Sequence, residues 1–310
     1  MAAGVAGWAY ERSARRREAR LARTGRLVDV GTHRVRLCEE GQGHPTVVLV
    51  HGAGDCAASW TYVQHQVSRF AHVVSYDRAG IGGSEPGPPP TLDRFVDELQ
   101  RVLQAGAIPG PYLLVGHSLG GLPVSRYARR HRDEVRGLVL VDATPEAIAN
   151  DPGVKTGFAI SGAMARALQA AAPVGVTRLL LVSGKMPLYP EQPQFRAVVS
   201  AEEYAHWVAD VCRTFASSAA GDELRAVLAA AEAAKHLGEG VQEPRFGSLP
   251  LGILTSHAFG DKWIEWHREL ATRSSHSFHR ITDTSSHNIH LRHPEMVVQA
   301  VRDVVSMAHA

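Results

Sequence analysis

The 310-residue chain has little cysteine: Cys38, Cys56 and Cys212 are all it carries. So sparse and odd a set, without metal-ligand spacing, argues against a disulfide framework and predicts reduced thiols in a cytoplasmic protein. An excess of one charge is also lacking. With a formal net charge of +2, the chain has no strongly basic balance, and nucleic acid is not the expected partner. Long apolar runs are missing too. Residues 1–10 and 174–182 are the mildly and strongly apolar stretches, and both fall well short of the about 20 residues a membrane-spanning helix needs. No cleavage site of signal-peptide type follows the first. There is no internal repeat and no low-complexity segment.

What is present is enough to build a large core, since 45% of the residues are hydrophobic. The apolar runs at 46–50, 71–76, 112–116, 137–141, 251–255 and 277–281 predict strands. Those at 27–30 and 33–38 predict a hairpin-like start around Gly31-Thr32. Between them, Leu92, Phe95, Val96, Leu99, Val102 and Leu103 recur at helical spacing, and Pro294 opens a closing amphipathic helix. Strand and helix alternate, as in a doubly wound, mostly parallel α/β sheet. The alternation breaks across residues 144–248, an alanine-rich stretch too long for a simple connection and expected to be helical. Three parts are therefore expected: a basic N-terminal arm (1–25), an α/β core (26–143 and 249–310) and a helical insertion (144–248). The arm carries Arg12, Arg15, Arg16, Arg17, Arg20 and Arg23. It is expected to be a solvated helix, with weak association to an anionic membrane surface as the alternative. Residues 174–182 are expected to form a buried helix that lines a pocket.

The stretch around Gly116-His117-Ser118-Leu119-Gly120 points to chemistry. A strand running into G-x-S-x-G and then a helix is the pattern of a nucleophile elbow, whose strained turn requires small residues two positions either side of the serine. A serine hydroxyl needs a base to become a useful nucleophile. The base should lie on the loop after the last strand, and His287 is preferred there over His290 and His293. An oxyanion needs two preorganised N–H donors. Leu119, next after the serine, and Ala53, in the His51-Gly52-Ala53-Gly54 loop after the 46–50 strand, are the candidates. Cys56, close after that loop, is expected to border the site, and Asp77 and Arg78 to form a buried pair bracing loops below it.

His51-Gly52, Tyr76-Asp77-Arg78-Ala79-Gly80-Ile81-Gly82-Gly83-Ser84, Gly116 to Gly120, Leu138 to Asp142 and Ser286-His287, in that order, resemble the α/β-hydrolase superfamily. The resemblance implies that fold, with a helical cap inserted after the sixth strand, a Ser-acid-His triad, and neither cofactor nor metal. A serine at 118 separates the chain from relatives that attack with aspartate. The acid departs from the common pattern. Asp142, at the tip of the sixth strand, is preferred, and Asp261 is the alternative. The expected activity is hydrolysis of a carboxylic ester through an acyl-enzyme, on a small, moderately apolar acyl substrate. Lactone, thioester or carbon–carbon bond cleavage on the same triad, or ligand binding without turnover, are the alternatives.

Overall fold

The computed structural model describes residues 2–18, 25–145, 151–236 and 245–309. Eight strands form one sheet: β1 (Arg26–Asp29), β2 (Arg34–Glu40), β3 (Thr46–Val50), β4 (Val73–Tyr76), β5 (Tyr112–His117), β6 (Val135–Val141), β7 (Leu251–Thr255) and β8 (Ser277–Ile281). Their order is β1-β2-β4-β3-β5-β6-β7-β8. β1 and β2, and β2 and β4, pair antiparallel, and every other pair is parallel. Every residue of β3, β4, β5 and β7 is buried. That is why these strands read as unbroken apolar runs rather than alternating ones: helices cover both faces of a parallel sheet.

Two apolar layers result. On one face, α3 (Leu92–Ala105) and α4 (Gly121–Arg130) pack Val96, Leu99, Leu103, Val124 and Tyr127 against Val48, Leu114 and Leu140. On the other, α2 (Thr61–Val67) and α12 (Pro294–His309) pack Val63, Val67, Val297 and Val301 against Leu49, Val115 and Val139. α10 (Asp261–Ala271) adds Leu270 to the first layer, and the short α11 (Ile289–Arg292) adds Ile289 to the second. The order reverses between β3, whose chain moves outward to β4, and β5, whose chain moves the opposite way. The crevice beyond the carboxyl ends of strands at such a switch point is where open α/β sheets bind ligands.

Between β6 and β7 lie α5 (Pro152–Ala171), α6 (Val176–Val182), α7 (Gln192–Val198), α8 (Ala201–Ala216) and α9 (Ala219–His236). They have their own apolar centre around Leu168, Leu181, Phe195, Trp207 and Phe215, into which the core contributes Cys56 and Ile81. Buried charge ties them to the sheet. Arg36 bridges Asp77, at 2.6 Å, and Asp210 of α8, and Arg78 pairs with Glu223 of α9 at 2.6 Å. Asp77 and Arg78 therefore do not pair with each other. Consecutive residues beyond a strand end point in different directions, and each takes its own partner.

Two further expectations are corrected. α1 (Ala2–Glu18) is not a solvated arm: it lies across the turn that links α5 to α6. There Ala14 is buried and Glu11 accepts from Arg178 Nε at 2.7 Å. Arg20 and Arg23 lie outside the described residues. The 174–182 stretch is half buried rather than wholly so. Thr177, Arg178 and Leu181 face inward, whereas Val176, Leu179 and Val182 are exposed, and none of the stretch lines the central cavity. Among the described residues no single helix is long and apolar enough to cross a membrane.

Candidate active site

The parallel register brings the candidate residues to one edge. Val50 pairs with Gly116, and His117 with Val141, so the loop after β3, the turn after β5 and Asp142 after β6 leave adjacent strands at nearly the same level. The turn after β5 is strained as its sequence requires. Ser118 has φ +50°, in a region that side chains other than glycine rarely occupy. A Cβ on Gly116 would come within 2.6 Å of the Gly120 oxygen, and one on Gly120 within 2.4 Å of the Val50 oxygen. Only glycine fits either place. Asp142 is strained as well, with φ +42°. Holding two such residues costs about 1–3 kcal/mol each, and strain of this kind clusters at functional sites.

Asp142 is fully buried and accepts four hydrogen bonds. Oδ1 takes Ser256 N and Trp263 Nε1, both at 3.0 Å, and Oδ2 takes Ser256 Oγ at 2.7 Å and His287 Nδ1 at 2.8 Å. Burial pushes this carboxyl up. The bonds and charge of His287, with the Ser256 hydroxyl, outweigh that and hold it below the usual carboxylate range. It is thus ionised at neutral pH, and Nδ1 of His287 carries the proton that it accepts. Asp261 is exposed at the first position of α10 and is not brought to His287.

With Nδ1 committed to Asp142, Nε2 is the free nitrogen of His287. His287 and Ser118 line one cavity of about 590 Å³. No hydrogen bond joins them in this structure, a looseness common where no substrate is bound. The Ala53 loop lines the same cavity, and Leu119 is the second residue of the helical turn that opens at Ser118, where backbone N–H groups lack intrahelical partners. Phe158, Leu188, Phe215, Leu224 and Phe259 make much of the wall apolar, while Gln194 and Arg292 add polar groups. Cys56 does not border the cavity. It is buried among the inserted helices, and burial raises its thiol well above the usual range. The Cys38 and Cys212 thiols are pushed up to about 12 by the same cause.

Several contributors carry no clear sequence signal. His117, the variable residue before the serine, lies with Nε2 3.2 Å from the His287 carbonyl oxygen. Burial holds its imidazole neutral, so the ring can donate there. Trp263, Ser256, Glu191 and Glu223 belong to local patterns that look like ordinary helix or loop, and only the folded chain shows what they touch. His290 is fully buried, with Nε2 3.2 Å from Asp55 Oδ2 and its ring tilted against those of Trp60 and His117. Asp55, His117 and His290 are the described residues whose donor atoms come closest to a metal-binding arrangement, within 4.8 Å of one another. Asp55 Oδ2 and His290 Nε2 already pair with each other there.

Comparison with known proteins bears on the family and the fold. The chain is 31% identical over 129 residues to a Hormonema carpetanum protein named "Probable transporter efuK", covering 39% of this chain and 18% of that one. It is 36% identical over 111 residues to the pimeloyl-[acyl-carrier protein] methyl ester esterase of Chromobacterium violaceum, covering 36% and 41%. The matched stretches thus span less than half the length of these relatives. The solved structure of a putative lipase from Acinetobacter baumannii superposes with a TM-score of 0.67 at 20% identity, covering 97% of this chain and 95% of that one. At that identity the likeness speaks for the fold alone. The model of the "Alpha/beta hydrolase family" matches residues 47–300. A match over that much of the chain, laid on a sheet and elbow of this form, makes the protein a member of the alpha/beta hydrolase family.

Proposed function

We propose that the protein is a serine hydrolase that cleaves carboxylic esters by way of an acyl-enzyme. The reading rests on one observation above all: Asp142 holds His287 Nδ1 at 2.8 Å on the wall of the cavity that Ser118 enters. Nε2 of His287 takes the Ser118 proton as Oγ bonds to the ester carbonyl carbon. The oxygen that gains charge is held by the Leu119 and Ala53 N–H groups. When the tetrahedral intermediate collapses, His287 gives that proton to the departing alkoxide. Water then adds to the acyl carbonyl carbon as His287 takes its proton, and collapse of this second tetrahedral intermediate releases the carboxylic acid as His287 returns that proton to Ser118 Oγ. Every step is a proton transfer, a carbonyl addition or its reversal, with water as the second reactant and Ser118 and His287 as the groups that move protons and form bonds. Residues 144–248 act as the cap of the site, and their apolar wall suits a moderately apolar acyl or alcohol part.

The decisive measurement is labelling by a fluorophosphonate together with turnover of p-nitrophenyl esters. Ser118 should be the labelled residue, and Ser118→Ala should abolish both labelling and turnover. Labelling elsewhere, or none, would refute the reading and favour a binding protein of this fold. Lactones, acyl thioesters and a vinylogous diketone belong in the same panel, because the same groups serve those bonds.

A second reading concerns location. Val5, Trp8 and Tyr10 of α1 and Val176, Leu179 and Val182 of α6 are exposed, next to Arg12, Arg15, Arg16 and Arg17. Large apolar side chains beside arginines suit the surface of an anionic bilayer. On this reading the protein is a cytoplasmic enzyme held peripherally at a membrane.

A further inference from the structure

We propose that two buried glutamates of the inserted helices are positioning residues for the reaction: Glu223 aims the Ala53 oxyanion donor, and Glu191 holds the loop that carries His287. The proposal rests on the serine-hydrolase reading and extends it, because it makes the insertion part of the machinery and not only a cover.

Glu223, on α9, is almost wholly buried. Its Oε1 accepts from Arg78 Nε at 2.6 Å, and its Oε2 from Arg78 Nη2 at 3.0 Å and from Gly54 N at 2.9 Å. A carboxylate that grips a guanidinium at two points fixes its plane. The rest of that fork then meets the loop, with Nη1 donating to the His51 oxygen at 2.6 Å and Nη2 to the Gly52 oxygen at 2.8 Å. The Gly52 carbonyl and the Ala53 N–H belong to one planar peptide, so fixing the oxygen fixes the direction of the hydrogen. The residue after Ala53 is held as firmly. Gly54 gives its N–H to Glu223, and its oxygen accepts from the Tyr189 hydroxyl of the insertion at 3.1 Å. Gly54 has φ +67°, and a Cβ there would lie 2.9 Å from the Ala220 methyl of α9, so the loop and the helix touch directly.

Glu191 lies in the segment between α6 and α7, also buried. Its Oε1 accepts from the Ser286 hydroxyl and its Oε2 from Asn288 Nδ2 at 2.9 Å. These are the neighbours of His287 on either side. Asp142 and His117 hold His287 from the sheet, and Glu191 holds its flanks from the insertion. Simple attachment of the insertion does not call for these partners. Arg36–Asp210 and the surface bridge from His65 to Glu203 already tie α8 to the core away from the cavity.

The test compares Glu223→Gln and Glu191→Gln with Glu203→Gln as a surface control, all in the full chain. The readouts are kcat and KM on p-nitrophenyl butyrate and inhibition by a trifluoromethyl ketone and its methyl ketone counterpart. The first ketone adds Ser118 Oγ and places an oxyanion in the hole, while the second stays a ground-state ligand. For Glu223→Gln, kcat should fall on the order of 10²-fold with KM nearly unchanged, the cost of misplacing a donor. Trifluoromethyl ketone affinity should fall with it, and methyl ketone affinity should not. Glu191→Gln should slow fluorophosphonate labelling of Ser118 by about tenfold or more, and Glu203→Gln should match the parent. Each value is referred to the folded fraction by near-UV circular dichroism. Glu223→Asp, which keeps the charge but is one methylene shorter, stands in if the glutamine variant does not fold. The proposal is overturned if both glutamine variants keep kcat and labelling within about threefold of the parent, or if both ketones weaken equally, the mark of general disorder. A parent that takes no label would refute the serine-hydrolase reading, and this proposal with it. Indifferent variants of an active parent overturn this proposal alone.

Discussion

Four donors converge on the carboxylate of Asp142, so its replacement by asparagine changes more than charge. An amide has one oxygen, and its NH₂ must face two of those donors. It fits best in the Oδ2 place, where the Ser256 hydroxyl and His287 Nδ1 can turn acceptor as Ser256 N and Trp263 Nε1 cannot, and that breaks the pairing that fixes the His287 tautomer. Asp142→Asn should lower kcat by roughly 10⁴-fold with little change in KM, as expected when the residue that orients the base is lost. Asp261→Asn, at an exposed helix start, should leave kcat unchanged. Steady-state kinetics on one ester separates the two, and the opposite ranking would return the role to Asp261. How much of the site the sequence discloses follows from the same physics. Ser118 is legible because a strained turn imposes glycine at fixed offsets, and those offsets survive as a pattern. His287 is legible through topology, since the loop after the last strand must open on the same sheet edge. Asp142 can be read only as one of two choices, because its partners arrive from β7, α10 and the last loop. Nothing local marks Glu191 or Glu223, whose partners lie 95 to 169 positions away in sequence.

Elements that meet only through long-range contact carry a pH dependence of their own. His65 of α2 lies between Glu40 of β2, at 2.7 Å, and Glu203 of α8, at 2.5 Å. The hydrogen bond to Glu40, reinforced by Glu203 against a smaller loss from burial, raises its pKa to about 9. A folded pKa above the unfolded value near 6.5 means that this stability is fully present below pH 6.5 and is lost as pH rises through 9. The melting temperature should therefore decline across that window, and His65→Ala should lower it below pH 6.5 while flattening the decline. An unchanged slope in the variant would show that the bridge contributes nothing. The buried strands and the closing helix are legible because one pattern, apolar on every position or at helical spacing, survives in each. The inserted helices are harder. Alanine-rich stretches give weak periodicity, and in a run such as 174–182 nearly every face is apolar, so composition cannot tell which one is buried. There the buried face is set by Arg178, whose pairing with Glu11 and Glu18 of α1 turns it inward.

Once α1 has docked there, the molecule as a whole has a sided surface. Val176, Leu179 and Val182 recur at spacings of three along α6 and are left outside, Leu179 at 60% and Val182 at 52% exposure. Tyr10 of α1 lies beside Gly175 at the head of that row. Trp8 and Val5 add large apolar groups, and Arg12 stacks over Trp8 at 5.0 Å. A shallow apolar contact beside a few arginines gives reversible, salt-sensitive adsorption and not insertion. The protein should therefore sediment with vesicles rich in phosphatidylserine, less with pure phosphatidylcholine, and progressively less as salt rises. Leu179→Glu with Val182→Glu should weaken binding at every salt concentration, because it removes apolar area and adds repulsion. Replacing Arg12 and Arg16 by glutamine should instead reduce the dependence on anionic lipid, while p-nitrophenyl butyrate turnover in solution stays the same in both variants. Equal sedimentation of parent and variants, or none with any vesicle, would overturn the membrane-surface reading.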